Sequence, residues 1–283
     1  MDHDPLAARL RELGWPRPAA DQPAPSAGQL WRAAWGDVAM LVVVLAEPQG
    51  RRTAAVAASH EPVGDDSALV VSTKQGLSPV VWSGIRASIG LFTLDQRLGD
   101  LDDNSLGALR RAVGGQRPRL WAAISDDLDD RTLIAANLVD RLSSLAEAEW
   151  LPNKVVGEPL GSLVRQAGIA PSVLGRALGI TPGEARRLMN GTRQPSDREL
   201  ELITRLVGGR PAANIAFDEK LVEDLDQPKF RPRLRLYAAQ KSLPDEAAVR
   251  RNVAGAVLAM AARHRQPGRR NWEALISEVL DEG

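Results

Sequence analysis

Arg186, Arg187 and Asn190 lie within five residues of one another, and they carry the side chains best suited to reading nucleic acid. A guanidinium fork matches O6 and N7 of guanine, and a carboxamide matches N6 and N7 of adenine. Arg193 follows, with Thr192 and Gln194 on either side, and Ser172 and Thr181 precede the group. Short polar donors and cations of this kind hold phosphate oxygens. Other constellations are thin. His60-Glu61 offers an acid/base pair, but Pro62, Gly64, Asp65 and Asp66 mark an exposed loop there. Asp126, Asp127, Asp129 and Asp130 precede an amphipathic stretch, where carboxylates suit the positive end of a helix dipole better than a calcium loop. No GxGxxG, Walker loop, HExxH or GxSxG occurs. Three histidines far apart and no cysteine leave little for a metal site, a thiol nucleophile or a disulfide. We therefore expect a binding protein rather than an enzyme, with no catalytic residues, no metal and no cofactor.

Composition agrees with a soluble globular chain. Of 283 residues, 44% are apolar and 25% charged, and the longest apolar run, Val38–Ala46, is too short to span a bilayer. No basic-then-apolar leader opens the sequence, so the expected location is the cytoplasm. The net charge of zero hides an asymmetry. Residues 1–150 carry 15 Arg/Lys against 20 Asp/Glu, and residues 151–283 carry 21 against 16, giving −5 and +5. A basic half joined to an acidic half suits a nucleic-acid-binding module attached to something else. Arginine outnumbers lysine 31 to 5, which reflects a GC-rich coding bias and not a function.

The elements that must position these groups follow from local patterns. Pro5 can open a first helix with Leu6, Leu10 and Leu13 on one face and Gly14 at its end, and a proline-rich tether follows to residue 27. Residues 28–115 read as a small antiparallel β domain. Leu30–Trp35, Val38–Leu45, Ala54–Ser59, Ala68–Ser72 and Pro79–Trp82 are its strands, and Gly36-Asp37 is a hairpin turn. Residues 116–157 contain a connecting helix with Leu133, Ile134, Leu138, Leu142 and Leu145, which Asp129 or Asp130 precedes. Residues 158–210 form a helical domain, and 211–283 a C-terminal helical segment. The fold class expected is α+β, a barrel-like β domain followed by helices.

Within 158–210 the spacing is specific. Leu160, Leu163 and Val164 face inward from a first helix. Pro171 opens a second, with Val173, Leu174 and Leu178 in the core and Gly175 where two backbones come close. Thr181-Pro182-Gly183-Glu184 and Ser196-Asp197-Arg198-Glu199 are capping boxes, the second opening a helix with Leu200, Ile203, Leu206 and Val207 inward. Two helices joined by a short turn make a helix-turn-helix. The segment resembles the Cro/cI-type (XRE) repressor family at Leu174-Gly175, Leu178-Gly179-Ile180, Asn190-Gly191, Pro195, Leu200, Ile203 and Leu206, over about 50 residues. The resemblance implies that the helix after Thr181 enters the major groove of double-stranded DNA, in a homodimer on half-sites about 34 Å apart. A helical wheel puts Ala185, Leu188 and Met189 in the core and Gly183, Arg186, Arg187 and Asn190 outward. Gly183 and Glu184 stand where many family members have polar readers.

In the β domain, Gly28–Arg32, Leu41–Leu45, Leu69-Val70-Val71 and Ile89–Leu94 resemble the barrel of PemK/MazF-type toxins, which are RNases. That family carries catalytic residues on a long loop between its first two strands; here Gly36-Asp37 replaces it, and Arg51-Arg52 has no evident Ser/Thr partner. Phe230, Arg231, Arg233, Arg235 and Tyr237, with Arg263, His264, Arg265, Arg269 and Arg270, could lengthen a contact with DNA backbone. Most of these charges, however, read as a solvated rim around two closing helices, whose apolar faces either bury one another or make a dimer interface. The function expected is a sequence-specific DNA-binding regulator, a repressor, whose N-terminal domain senses a ligand or binds a protein partner. The alternatives are a toxin–antitoxin-related protein with an RNase-like barrel, or an adaptor whose helix-turn-helix binds protein.

Overall fold

A computed structural model describes residues 5–15, 22–116, 128–151, 164–165, 167–190, 193, 195–207, 218–263 and 271–282. The chain divides into two compact units. One comprises Met1–Ala148 with Asp226–Leu236, the other Glu149–Leu225 with Tyr237–Gly283.

The first unit is built on six antiparallel strands: β1 Gln29–Trp35, β2 Val38–Val44, β3 Arg52–Ser59, β4 Ala68–Val70, β5 Val80–Gly90 and β6 Leu94–Asp100. Their order is β4-β5-β3-β2-β1-β6. Gly36, at φ 58°, makes the two-residue turn that sets Trp35 opposite Val38. The two outer strands meet just beyond their ends. The Lys74 amide donates to the Asp100 carbonyl (2.7 Å), the Asp102 amide donates to Ser72 (3.0 Å), and Thr73 bridges Leu101. This closes the sheet into a small barrel.

Both faces of the sheet are buried, which explains why β2 is a continuous apolar run rather than an alternating one. Met40, Val42 and Val44 join Trp31, Trp82 and Ile89 on one face. Leu41 and Val43 join Leu30, Val56 and Val81 on the other. Helix α1 (Pro5–Glu12) and helix α2 (Asp103–Val113) cover the second face through Leu10 and Leu109. Leu13 of the expected helix face is 43% exposed, because the chain leaves α1 at Glu12. Asp102 caps α2 by accepting the Ser105 amide. The stretch read as a connecting helix is α3, Leu128–Glu147, and its Leu138, Leu142 and Leu145 are buried against the first face. Each such leucine contributes about 1.5–3 kcal/mol through burial. Asp129 and Asp130 lie inside the first turn of α3 and not ahead of it, while Asp126 and Asp127 fall outside the described residues.

In the second unit two short helices are joined by a tight turn. α4 (Pro171–Leu178) and α5 (Pro182–Met189) are joined by Gly179–Thr181, and α6 (Asp197–Val207) follows. Gly179 ends α4 at φ 71° in the left-handed region, a conformation glycine adopts without strain. Val164, Leu174, Ala185, Leu188, Met189 and Ile203 form the core. Two expected core residues are not there: Val173 is 52% exposed and Leu206 43%. Short helices present a narrow apolar stripe, and Leu174 and Ile203 already fill it. Leu160 and Leu163 lie outside the described residues.

Helices α7 (Glu219–Leu225), α9 (Glu246–Arg263) and α10 (Trp272–Glu282) pack together, with Val253, Val257, Trp272 and Ile276 buried. The fully buried Arg250 donates to the Leu225 carbonyl at 2.6 Å, placing a cation at the end of α7. Helix α8 (Arg231–Lys241) follows a 3₁₀ turn at Pro228–Phe230. No helix among the described residues is long and apolar enough to cross a membrane.

Candidate nucleic-acid interface

The direction of α5 is fixed by its first turn. The Thr181 amide and hydroxyl both donate to Glu184 Oε2, at 2.9 and 2.8 Å, and the Glu184 amide donates back to Thr181 Oγ1 at 3.2 Å. These bonds hold the Glu184 carboxyl below its ordinary range, the Thr181 amide contributing most. They also turn the charge back toward the cap. The Glu184 carboxylate is therefore spoken for within the chain. So is the Thr181 hydroxyl.

With that turn set, Ala185, Leu188 and Met189 are buried, and Gly183, Arg186, Arg187 and Asn190 are exposed. The periodicity that sends three apolar side chains inward sends two guanidiniums and a carboxamide outward along one face. Ser172 is exposed in the first turn of α4. Thr192 and Gln194 lie outside the described residues.

Arg193 differs from the other candidates. Its amide donates to the Arg187 carbonyl at 3.2 Å, which ties the loop to α5. Its guanidinium donates through Nη2 to Glu199 Oε1 at 2.8 Å. Glu199 completes the capping box of α6, accepting from the Ser196 amide at 2.7 Å while its own amide donates to Ser196 Oγ at 3.3 Å. Burial pulls the Glu199 carboxyl upward, but the bonds from Arg193 and Ser196 outweigh it and hold the group below its usual range.

Three other polar residues differ from their expected settings. His60 is half-buried rather than exposed in its loop; burial lowers its pKa, with Glu61 acting in the opposite direction and Arg9 adding to the lowering. Arg52 has the serine partner that the sequence did not reveal, donating to Ser88 Oγ at 3.2 Å, and it also donates to the Ala146 carbonyl at 2.7 Å. Arg231, read as part of a solvated rim, is 1% exposed. Its partners lie more than a hundred residues away in sequence, so no local pattern could reveal them. His264, Arg265, Arg269 and Arg270 fall outside the described residues. Among the described residues no group of three or more His, Asp or Glu side chains is placed to hold a metal ion.

No protein-family model matches the chain, and no curated protein does. Two solved structures from mycobacterial species align with it. One is an endoribonuclease in complex with its cognate antitoxin, at 16% identity and a TM-score of 0.29, over 33% of this chain and 93% of the other. The second is an endoribonuclease at 15% identity and the same TM-score, over 33% of this chain and 91% of the other. At that level of superposition the likeness carries no conclusion about activity or partner.

Proposed function

We propose that the chain is a sequence-specific DNA-binding regulator, a repressor located in the cytoplasm and acting as a homodimer on two half-sites. The observation that carries this reading is the outward face of α5, where Arg186, Arg187 and Asn190 stand opposite buried Ala185, Leu188 and Met189. Exposed arginines are common, but here they share one face of a capped helix that follows a tight turn. That is the arrangement by which a second helix enters the major groove. The barrel unit serves as a sensing or protein-binding module, and the chain is not an enzyme.

The test is fluorescence anisotropy of the full chain at physiological salt, with DNA from upstream of its own gene against an unrelated duplex. Binding near 10⁻⁸ M, with a gap of about 10³ or more between the two, is the expected result. Equal binding to promoter-derived and random duplexes, on the order of 10⁻⁴ to 10⁻⁶ M, would overturn it and favour an adaptor that binds protein.

A toxin–antitoxin-related protein with an RNase-like barrel is the second reading. What favours it is the closure of the sheet at Ser72–Lys74 and Asp100–Asp102 into a small barrel. The two-residue Gly36-Asp37 link weighs against cleavage, since the resembled family keeps catalytic groups on a longer loop there. RNA cleavage by the full chain, abolished by a barrel substitution and not by one on α5, would establish this reading.

A further inference from the structure

The first unit also holds a cluster of buried charge that joins the barrel to an eleven-residue segment, Asp226–Leu236. Asp95 on β6 is the centre, its side chain 5% exposed. Its Oδ2 pairs with Arg32 of β1, and its Oδ1 faces Arg235 Nη1 at 2.8 Å and Arg231 Nε at 3.6 Å. Arg231 also donates from Nη1 to the Thr93 carbonyl and from Nη2 to the Ala34 carbonyl, each at 2.7 Å. The last rung of the β1–β6 ladder on this side is Ala33 opposite Leu94. Ala34 and Thr93 are the next residues outward, so the guanidinium spans two carbonyls where a further rung would lie.

A second contact fixes the other end of the segment. Arg51, in the turn before β3, donates from Nε to Asp226 Oδ2 at 2.6 Å, and Asp226 is fully buried. The barrel thus meets the segment at three points of opposite charge: Arg51 against Asp226, the carbonyl pair with Asp95 against Arg231, and Asp95 again against Arg235. The central point demands arginine. A planar fork can reach two carbonyls and a carboxylate together, whereas a lysine ammonium is a single point charge.

We infer that the barrel carries a peptide-docking site for an arginine-bearing segment. Its ligand has an acidic residue five positions before one arginine and a second arginine four positions after it, as in Asp226, Arg231 and Arg235. The chain's own segment fills the site in cis, and a protein partner presenting the same pattern enters by displacing it. The inference does not depend on whether α5 binds DNA.

The test uses the full chain carrying Arg231→Ala and Arg235→Ala together, with a fluorescent peptide of residues 224–238. The variant is expected to bind the peptide about tenfold or more tightly than the wild-type chain, whose site is filled. A peptide with Arg231→Lys, or a variant that also carries Asp95→Asn, is expected to bind about tenfold or more weakly than the parent pair. A folded variant that ignores the peptide, or accepts the lysine peptide equally, overturns the inference. If the double variant does not fold, Arg231→Ala alone is melted with ethylguanidinium or ethylammonium. Recovery of a cooperative melt with ethylguanidinium only supports the pocket, and recovery with neither or with both overturns it.

Discussion

The backbone of Gly175 passes so close to the turn between α4 and α5 that a Cβ there would lie 2.8 Å from the carbonyl oxygen of Ile180. Two effects oppose each other at this position. Alanine favours a helix over glycine by about 0.8–1 kcal/mol, while overpacking costs about 1–3 kcal/mol. The obstructing atom is backbone in a tight turn and cannot swing aside, so the clash wins. Gly175→Ala is expected to lower the melting temperature of the chain, and a rise in Tm would show that helix propensity dominates instead.

The cap of α5 gives a pH prediction. Glu184 has a folded pKa below its ordinary 4.5. Its contribution is therefore fully present above about pH 4.5 and is lost as the pH falls through the lower folded value. Thr181→Ala should cost about 1 kcal/mol at neutral pH. Denaturant melts from pH 6 to 3 should show a shallower acid decline for Glu184→Gln than for the wild-type chain.

On the DNA reading, Arg187→Ala should reduce affinity for a defined operator by about 1–3 kcal/mol and relax discrimination at one base pair. Arg186→Ala, if that residue meets phosphate, should weaken all duplexes alike and make the salt slope shallower by about one. Titrations at several salt concentrations separate the two outcomes, and an operator indifferent to Arg187→Ala removes that residue from the reading set.

Barrel closure has its own signature in hydrogen exchange. The Lys74 and Asp102 amides, bonded to Asp100 and Ser72, should exchange on the timescale of the β1–β3 amides rather than that of loop amides. Rapid exchange at both positions would mean that the ring opens in solution.

How far the fold could be read in advance depended on what each element buries. β2 is apolar on both faces and announces itself. β6 does not: Leu94-Asp95-Gln96-Arg97 looks like a loop, because its buried Asp95 is satisfied by arginines remote in sequence. β5 runs to Gly90, well past the expected Trp82, since Ser83–Ser88 meets solvent at several positions and carries little apolar pattern. The face of α5 was legible because caps and period are local properties. Val173 meets solvent for the converse reason: a wheel fixes an angle, and only the neighbouring helices decide how wide the covered stripe is. Arg231 shows the same limit for charge, since composition cannot distinguish a solvated guanidinium from one enclosed by a distant strand pair.

The link from Arg193 to Glu199 places a competition at the edge of the α5 face. Any anion that draws this guanidinium outward must first outbid a carboxylate already fastened to the start of α6. By reciprocity, whatever secures that helix start raises the threshold for the anion. The loop is thus a balance with one pan already loaded, and its response to ionic surroundings is set by α6 as much as by what arrives from outside.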